Sequence, residues 1–238
     1  MKKLLLSLIL PMACLSSSCT DLKTEMPGAP TYNPDYTLVP TPVKRVYSGP
    51  DAILMGDSIS DFWDDSAMGG HPSFFAENRY VSKGIAGQTT AQMLARFQSD
   101  VVDNDPGCVA ICAGTNDIAG NDNGGVSRPN DYILGYIRAM AEMAEQNNIP
   151  VIICSLLPAN FYSWNTNVHP ADIIVELNGM LKQMAAEKNY VFVDYWTPLA
   201  DDQKGLPSSY SGDRVHPNSD GYTVMESIIK PAIDKILK

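Results

Sequence analysis

From residue 52 onward, short unbroken apolar runs alternate with longer stretches in which apolar positions recur every three or four residues. The runs are Ala52-Ile53-Leu54-Met55, a shorter one beginning at Tyr80-Val81, Cys108 to Ala113, Val151 to Leu157, and Tyr190 to Tyr195. Each is four to eight residues or less and reads as a strand. Between them, Thr90 to Val101 places Met93, Leu94, Phe97 and Val101 on one helical face, and Asn130 to Asn147 does the same with Ile133, Ile137, Met140 and Ala144. Ala171 to Lys188 carries Ile174, Leu177, Leu181 and Met184; Ser219 to Leu237 closes the chain as a helix that Pro231 is expected to bend or break. Strands that are apolar on both faces and alternate with helices predict a parallel sheet covered on both sides. The expectation is an α/β protein: a three-layer α/β/α arrangement around a flavodoxin-like five-stranded parallel sheet. Right-handed crossovers would then gather the loops that follow the strands along one edge.

The first 46 residues follow another pattern. Met1-Lys2-Lys3, the apolar run Leu4 to Leu10 and the small residues Ser16-Ser17-Ser18 before Cys19 read as a signal peptide of lipoprotein type, residues 1–18, with Cys19 as the lipid-modified first residue of the mature chain. Residues 19–46 contain Pro27, Pro30, Pro34, Pro40 and Pro42 and read as an extended tether. The folded domain is expected over 47–238. This predicts an exported periplasmic or cell-surface protein that meets the membrane only through its N-terminal lipid. The net charge is −10, and removal of Lys2 and Lys3 would take it to −12. With no run of Lys or Arg, the chain lacks the basic patch that phosphate binding needs, which excludes nucleic acid as the expected partner. Cys108, Cys112 and Cys154 lie in strand-like runs and read as small core residues. No His stands at ligand spacing from them, and neither a metal nor another cofactor is expected.

The polar residues that matter stand where the strands end. The first strand leads into Gly56-Asp57-Ser58, so Ser58 sits where the backbone turns toward a helix. That suits a nucleophile, and it suits an N-cap equally well. The second leads to Gly84-Ile85-Ala86-Gly87-Gln88-Thr89-Thr90, in which Gly87 can present a bare N–H or merely serve a turn. The third ends in Gly114-Thr115-Asn116-Asp117, where the Asn116 amide can donate to an oxyanion or belong to a turn. Near the C-terminus, Asp213-Arg214-Val215-His216 spaces an acid and a His so that the carboxylate can hold the imidazole in its proton-accepting tautomer. Of the other two His, His71 has no acid three residues before it, and His169 has Asp172 three residues after it. No Gly-x-Ser-x-Gly elbow occurs, which disfavours a conventional α/β-hydrolase. The loop Pro158-Ala159-Asn160-Phe161-Tyr162-Ser163-Trp164 should border the site. Asn160, Phe161 and Trp164 are its substrate-binding candidates, although its rings could equally pack the loop down. Phe62 and Trp63 read as core anchors.

The order Gly-Asp-Ser, Gly-x-x-Gly-Gln-Thr-Thr, Gly-Thr-Asn-Asp and Asp-x-x-His-Pro resembles the SGNH hydrolases, also called GDSL-type lipases/acylhydrolases, and in particular bacterial members related to the acetylhydrolase branch. The likeness covers roughly residues 50 to 230. It implies an α/β/α fold and a cofactor-independent serine esterase. Ser58 would be the nucleophile and Asp213 and His216 the acid and base, with the oxyanion held by Ser58, Gly87 and Asn116. Arg214 departs from the small or polar residues frequent at its position. Export and an acidic surface fit hydrolysis of short acyl groups, O-acetyl above all, from a small-molecule or glycan ester. The alternatives are a lysophospholipase or thioesterase on the same scaffold and a non-catalytic glycan-binding lipoprotein.

Overall fold

The computed structural model describes residues 45–238. The leader, Cys19 and residues 20–44 of the tether lie outside the described residues. Arg45 already contacts the body of the protein, donating to the Asp105 carboxylate and the Pro106 carbonyl.

Five parallel strands form one sheet in the order β2-β1-β3-β4-β5. They are β1 (Ala52–Gly56), β2 (Tyr80–Gly84), β3 (Cys108–Cys112), β4 (Val151–Cys154) and β5 (Val191–Val193). The pleat sends alternate side chains to opposite faces. Ile53, Met55, Val109, Ile111, Val151 and Ile153 enter one core with residues of α3 (Thr90–Asp100), α5 (Asn130–Gln146) and α6 (Pro170–Lys188). Ala52, Leu54, Cys108, Ala110, Ile152 and Cys154 enter a second core on the other face. They meet α1 (Ser58–Trp63), α2 (Pro72–Asn78) and α8 (Ser219–Leu237) there. Two short helices, α4 (Thr115–Ile118) and α7 (Trp196–Leu199), follow β3 and β5. This is the expected three-layer arrangement. Cys108 and Cys154 are buried free thiols, and burial pushes both up to about 12, so they pack as apolar residues.

Two expectations need correction. The apolar runs outlast the strands: β4 stops at Cys154 and β5 covers three residues, because Leu156 and Leu157 after β4 and Tyr195 after β5 fill the cores from loops. Pro231 does not break α8, which runs through to Leu237. Pro231 and Ser227 are both exposed, so the carbonyl that the imino acid leaves without an N–H donor meets solvent, while Ile229 and Ile233 keep the helix on its core.

β1 pairs with β2 on one side and β3 on the other, with Gly56 opposite Gly84 and Cys112 at their C-terminal ends. The chain thus turns from one side of β1 to the other, and the loops after β1 and β3 part at this switch point, where open α/β sheets hold their ligands.

Candidate active site

Asp57 alone separates Ser58 from the end of β1, and Ser58 is the first residue of α1. Its own N–H therefore has no intrahelical acceptor. Asp57 caps the helix by accepting from the Ile59 N–H at 3.0 Å. This aspartate is 2% exposed, and burial raises its carboxyl to about 6 against the opposing pull of the Ile59 N–H and His216.

The loop after α7 brings the histidine across. His216 Nε2 stands 2.8 Å from Ser58 Oγ, and His216 Nδ1 stands 2.6 Å from Asp213 Oδ2. Asp213 is fixed by its own turn: Oδ1 accepts from the N–H groups of Val215 at 2.9 Å and His216 at 2.8 Å, and from Ser211 Oγ at 3.1 Å. Partial burial opposes its ionisation, but the hydrogen bonds from His216 and Val215 win and hold the carboxyl at about 2. With a carboxylate at Nδ1, the neutral imidazole carries its proton there and leaves Nε2 to accept from the Ser58 hydroxyl. The Phe62 ring lies 4.9 Å from the imidazole, so Phe62 borders the site while Trp63, one residue on, is buried in the core as expected. Arg214 takes a left-handed φ of 72° at the exposed crest of the Asp213–His216 turn.

The two other strand-end loops leave the sheet from β2 and β3, on either side of β1. Gly87 has φ 79° and faces open space. A side chain there would be strained in its backbone although nothing obstructs it. Asn116, 4% exposed, donates from Nδ2 to the Gln88 carbonyl at 3.0 Å, which leaves its second amide hydrogen for another acceptor. Buried Asp117 accepts from the Thr90 N–H at 2.9 Å and the Thr90 hydroxyl at 2.6 Å, tying the Gly87 loop to the Asn116 turn. Both residues stand within the sequence motifs, but nothing local in those motifs shows this tie.

The family model described as GDSL-like lipase/acylhydrolase matches residues 54–224. The chain belongs to this family. It is 28% identical over 203 residues to an acetylxylan esterase of Geobacillus stearothermophilus, covering 76% of this chain and 92% of that protein. Two solved structures are each 40% identical to it. A candidate acylhydrolase of Bacteroides fragilis NCTC 9343 superposes with a TM-score of 0.75 over 81% of this chain and 92% of its own. A GDSL-like lipase of Bacteroides thetaiotaomicron VPI-5482 gives 0.72 over 77% and 87%. The protein is a carboxylic ester hydrolase of the GDSL class.

The remaining predicted residues of this acylhydrolase divide. Asn160 turns away: its Nδ2 donates to the Gln203 carbonyl at 3.3 Å and its amide fills the space beside Gly205. Phe161 is partly exposed. Trp164 is connected to the site, since its Nε1 donates to Asn121 Oδ1 at 3.1 Å and Asn121 Nδ2 donates to Asn116 Oδ1 at 2.7 Å. Asn121 belongs to none of the four sequence motifs. His71, with no acid three residues before it, finds one across the fold: its Nδ1 lies 2.7 Å from Glu226 Oε1 and its Nε2 lies 2.7 Å from Ser219 Oγ. Among the described residues, no group of three or more His, Cys, Asp and Glu is placed to hold a metal.

Proposed function

We propose that the protein is a serine esterase that removes short acyl groups, acetyl above all, from glycan esters through an acyl-enzyme. The observation that carries this is the continuous line from Asp213 Oδ2 through His216 to Ser58 Oγ, in contacts of 2.6 and 2.8 Å, beside the loops of Gly87 and Asn116. The kinship with an acetylxylan esterase supports the acetyl and glycan reading.

In the proposed reaction His216 Nε2 takes the hydroxyl proton as Ser58 Oγ attacks the ester carbonyl. Asp213, held ionised, keeps Nδ1–H pointed at itself and stabilises the imidazolium. The N–H groups of Ser58 and Gly87 and the free amide hydrogen of Asn116 receive the oxyanion. His216 then gives its proton to the departing alcohol. Water gives a proton to the same nitrogen as it attacks the acyl-enzyme, and the imidazolium returns that proton to Ser58 Oγ as the acyl C–O bond breaks and the acid leaves. Ser58→Ala should abolish turnover of p-nitrophenyl acetate in a protein that keeps its circular dichroism spectrum; retained turnover would remove the assignment. Comparison of acetyl with long-chain p-nitrophenyl esters tests the acyl preference, and a preference for long chains would favour a lysophospholipase or thioesterase.

The leader and Cys19 support an exported lipoprotein tethered by residues 19–46. In a bacterial host, Cys19→Ser should end palmitate incorporation and move the protein from the membrane to the soluble fraction. An unchanged distribution would remove the anchor from the proposal.

A further inference from the structure

We propose that the cleft between the 119–125 loop and Trp164 is a subsite for one neutral sugar ring of the acylated glycan. The inference rests on the ester-hydrolase reading of Ser58 and adds the group that holds the alcohol part of the ester.

The cleft has a volume of about 360 Å³, within the range of small-molecule sites. Its lining contains no ionisable side chain; Asn121, Asn165, Asn167, Trp164 and the backbone of the 119–125 loop supply it. Primary amides both donate and accept, which matches hydroxyl groups that do the same: Asn121 keeps one N–H and one lone pair after its bonds to Asn116 and Trp164, Asn165 spends both N–H groups on the wall and offers its oxygen, and Asn167 adds a third amide. A phosphate or a uronate would find no cation there, and a long acyl chain would find amide groups where it needs apolar ones. The lining therefore selects an uncharged polyhydroxyl ligand over a charged sugar or a lipid tail.

Trp164 adds a platform. One face of its indole stacks on the Tyr162 ring at 4.9 Å and 27°, and Tyr162 is fully buried. Trp164 itself is 47% exposed, so a large rigid ring is fixed from beneath and open above. An amphipathic ring with its N–H satisfied suits the apolar face of a pyranose, while the amides serve its edges. The opposite wall is equally set. Asn165 Nδ2 donates to the Ala119 carbonyl at 2.8 Å and the Gly125 carbonyl at 2.7 Å, and the Gly125 N–H donates to the Gly120 carbonyl at 2.9 Å. Gly120 is required there, because at φ 73° a Cβ would come within 2.5 Å of the Gly125 carbonyl carbon. A wall built before the ligand arrives spares binding the cost of ordering it.

Two hydrogen bonds join this platform to the ester-cleaving centre: Trp164 to Asn121, and Asn121 to Asn116. A sugar seated on Trp164 thus rests on the same amide network that sets the orientation of Asn116.

Unacetylated xylotriose, cellotriose and mannotriose, with decanoate as the apolar control, can be titrated into the full chain by calorimetry, which needs no turnover. At least one trisaccharide should bind saturably with a Kd on the order of 1 mM, and Trp164→Ala should weaken it at least about tenfold. Asn167→Ala, on an exposed residue, should weaken it as well and decides the matter if Trp164→Ala fails to fold. The proposal is overturned if no trisaccharide binds, if both variants bind as the unmodified protein does, or if decanoate binds and the sugars do not. Reaction of Ser58 with a fluorophosphonate in the same preparation tests the esterase reading separately, so the two can fail independently.

Discussion

Ser58 and Ser219 each open a helix, and each is in hydrogen-bond contact with a histidine that contacts a carboxylate: Ser58–His216–Asp213 and Ser219–His71–Glu226. The distances are nearly equal, 2.8 and 2.6 Å in the first and 2.7 and 2.7 Å in the second. What differs is the surroundings. Ser58 lies just past the end of an inner strand, β1, whose neighbours β2 and β3 lead into the Gly87 loop and the Asn116 turn, and these are joined by the Asn116–Gln88 hydrogen bond. Ser219 is exposed, with the acidic side chain of Asp220 next in the chain. Asp213 spends both oxygens on the turn that carries its histidine, whereas Glu226 Oε1 also accepts from Trp63 Nε1 at 3.0 Å. The second chain therefore ties α1 and the start of α2 to α8. A serine–histidine–carboxylate line alone does not define an active site; donors waiting for negative charge beside the serine do.

The largest expected effect separates the two serines. Ser58→Ala should lower kcat for p-nitrophenyl acetate by about 10⁴-fold or more, while Ser219→Ala should leave it within about twofold. Equal losses would erase the distinction drawn between the two lines. The carboxylates should part in the same sense. Asp213→Asn should cost roughly 10²- to 10⁴-fold in kcat by releasing the imidazole tautomer, with a lower Tm at neutral pH as the charge that accepts from Val215 and His216 is lost. Glu226→Gln should leave kcat within about threefold but lower stability by about 1–3 kcal/mol, the value of hydrogen bonds to a charged group. Steady-state kinetics and thermal melts on the pair of variants give both readings. Asn116→Ala then tests the donors themselves, with an expected loss of about 10²- to 10³-fold in kcat and a small change in KM.

The same contrast explains what the sequence could disclose. The strands were legible because a parallel sheet buried on both faces demands unbroken apolar runs, although apolar loop residues such as Leu156 and Leu157 blurred where β4 stops. Asp213 and His216 were legible because three residues bring them together in one turn. His71 and Glu226 lie 155 positions apart, and Trp164 and Asn121 lie 43 apart. Neither pair leaves a local pattern; only the packing of α2 on α8, or of one loop on another, creates it. Asp57 was hidden for another reason. A carboxylate in a sequence reads as solvated, and its burial follows from the position of β1 inside the sheet, between β2 and β3.

Asp57 also marks the finest difference between the two serines, since the helix of Ser58 is capped by a buried carboxylate and that of Ser219 by the neutral amide of Asn218, which accepts from Gly221 N–H at 3.0 Å. Burial raises the Asp57 carboxyl from 3.8 to about 6 in the folded protein. The folded state thus binds more protons than the unfolded chain between those values. The contribution of Asp57 to stability is then complete below about pH 4 and declines as pH rises through about 6, by up to about 3 kcal/mol. Buried Asp117, likewise raised to about 6, adds a decline of the same sign. Asp213 acts oppositely: held at about 2, its contribution is present above about pH 4 and is lost only in stronger acid. Asp57→Asn keeps an oxygen for the Ile59 N–H and removes the charge. Urea unfolding at pH 4 and pH 7 should therefore show the variant gaining on the unmodified protein as pH rises, while the slope due to Asp117 persists in both. A difference that stays constant across this range would mean that the cap beneath Ser58 carries no burden of charge, and the two serines would be capped alike.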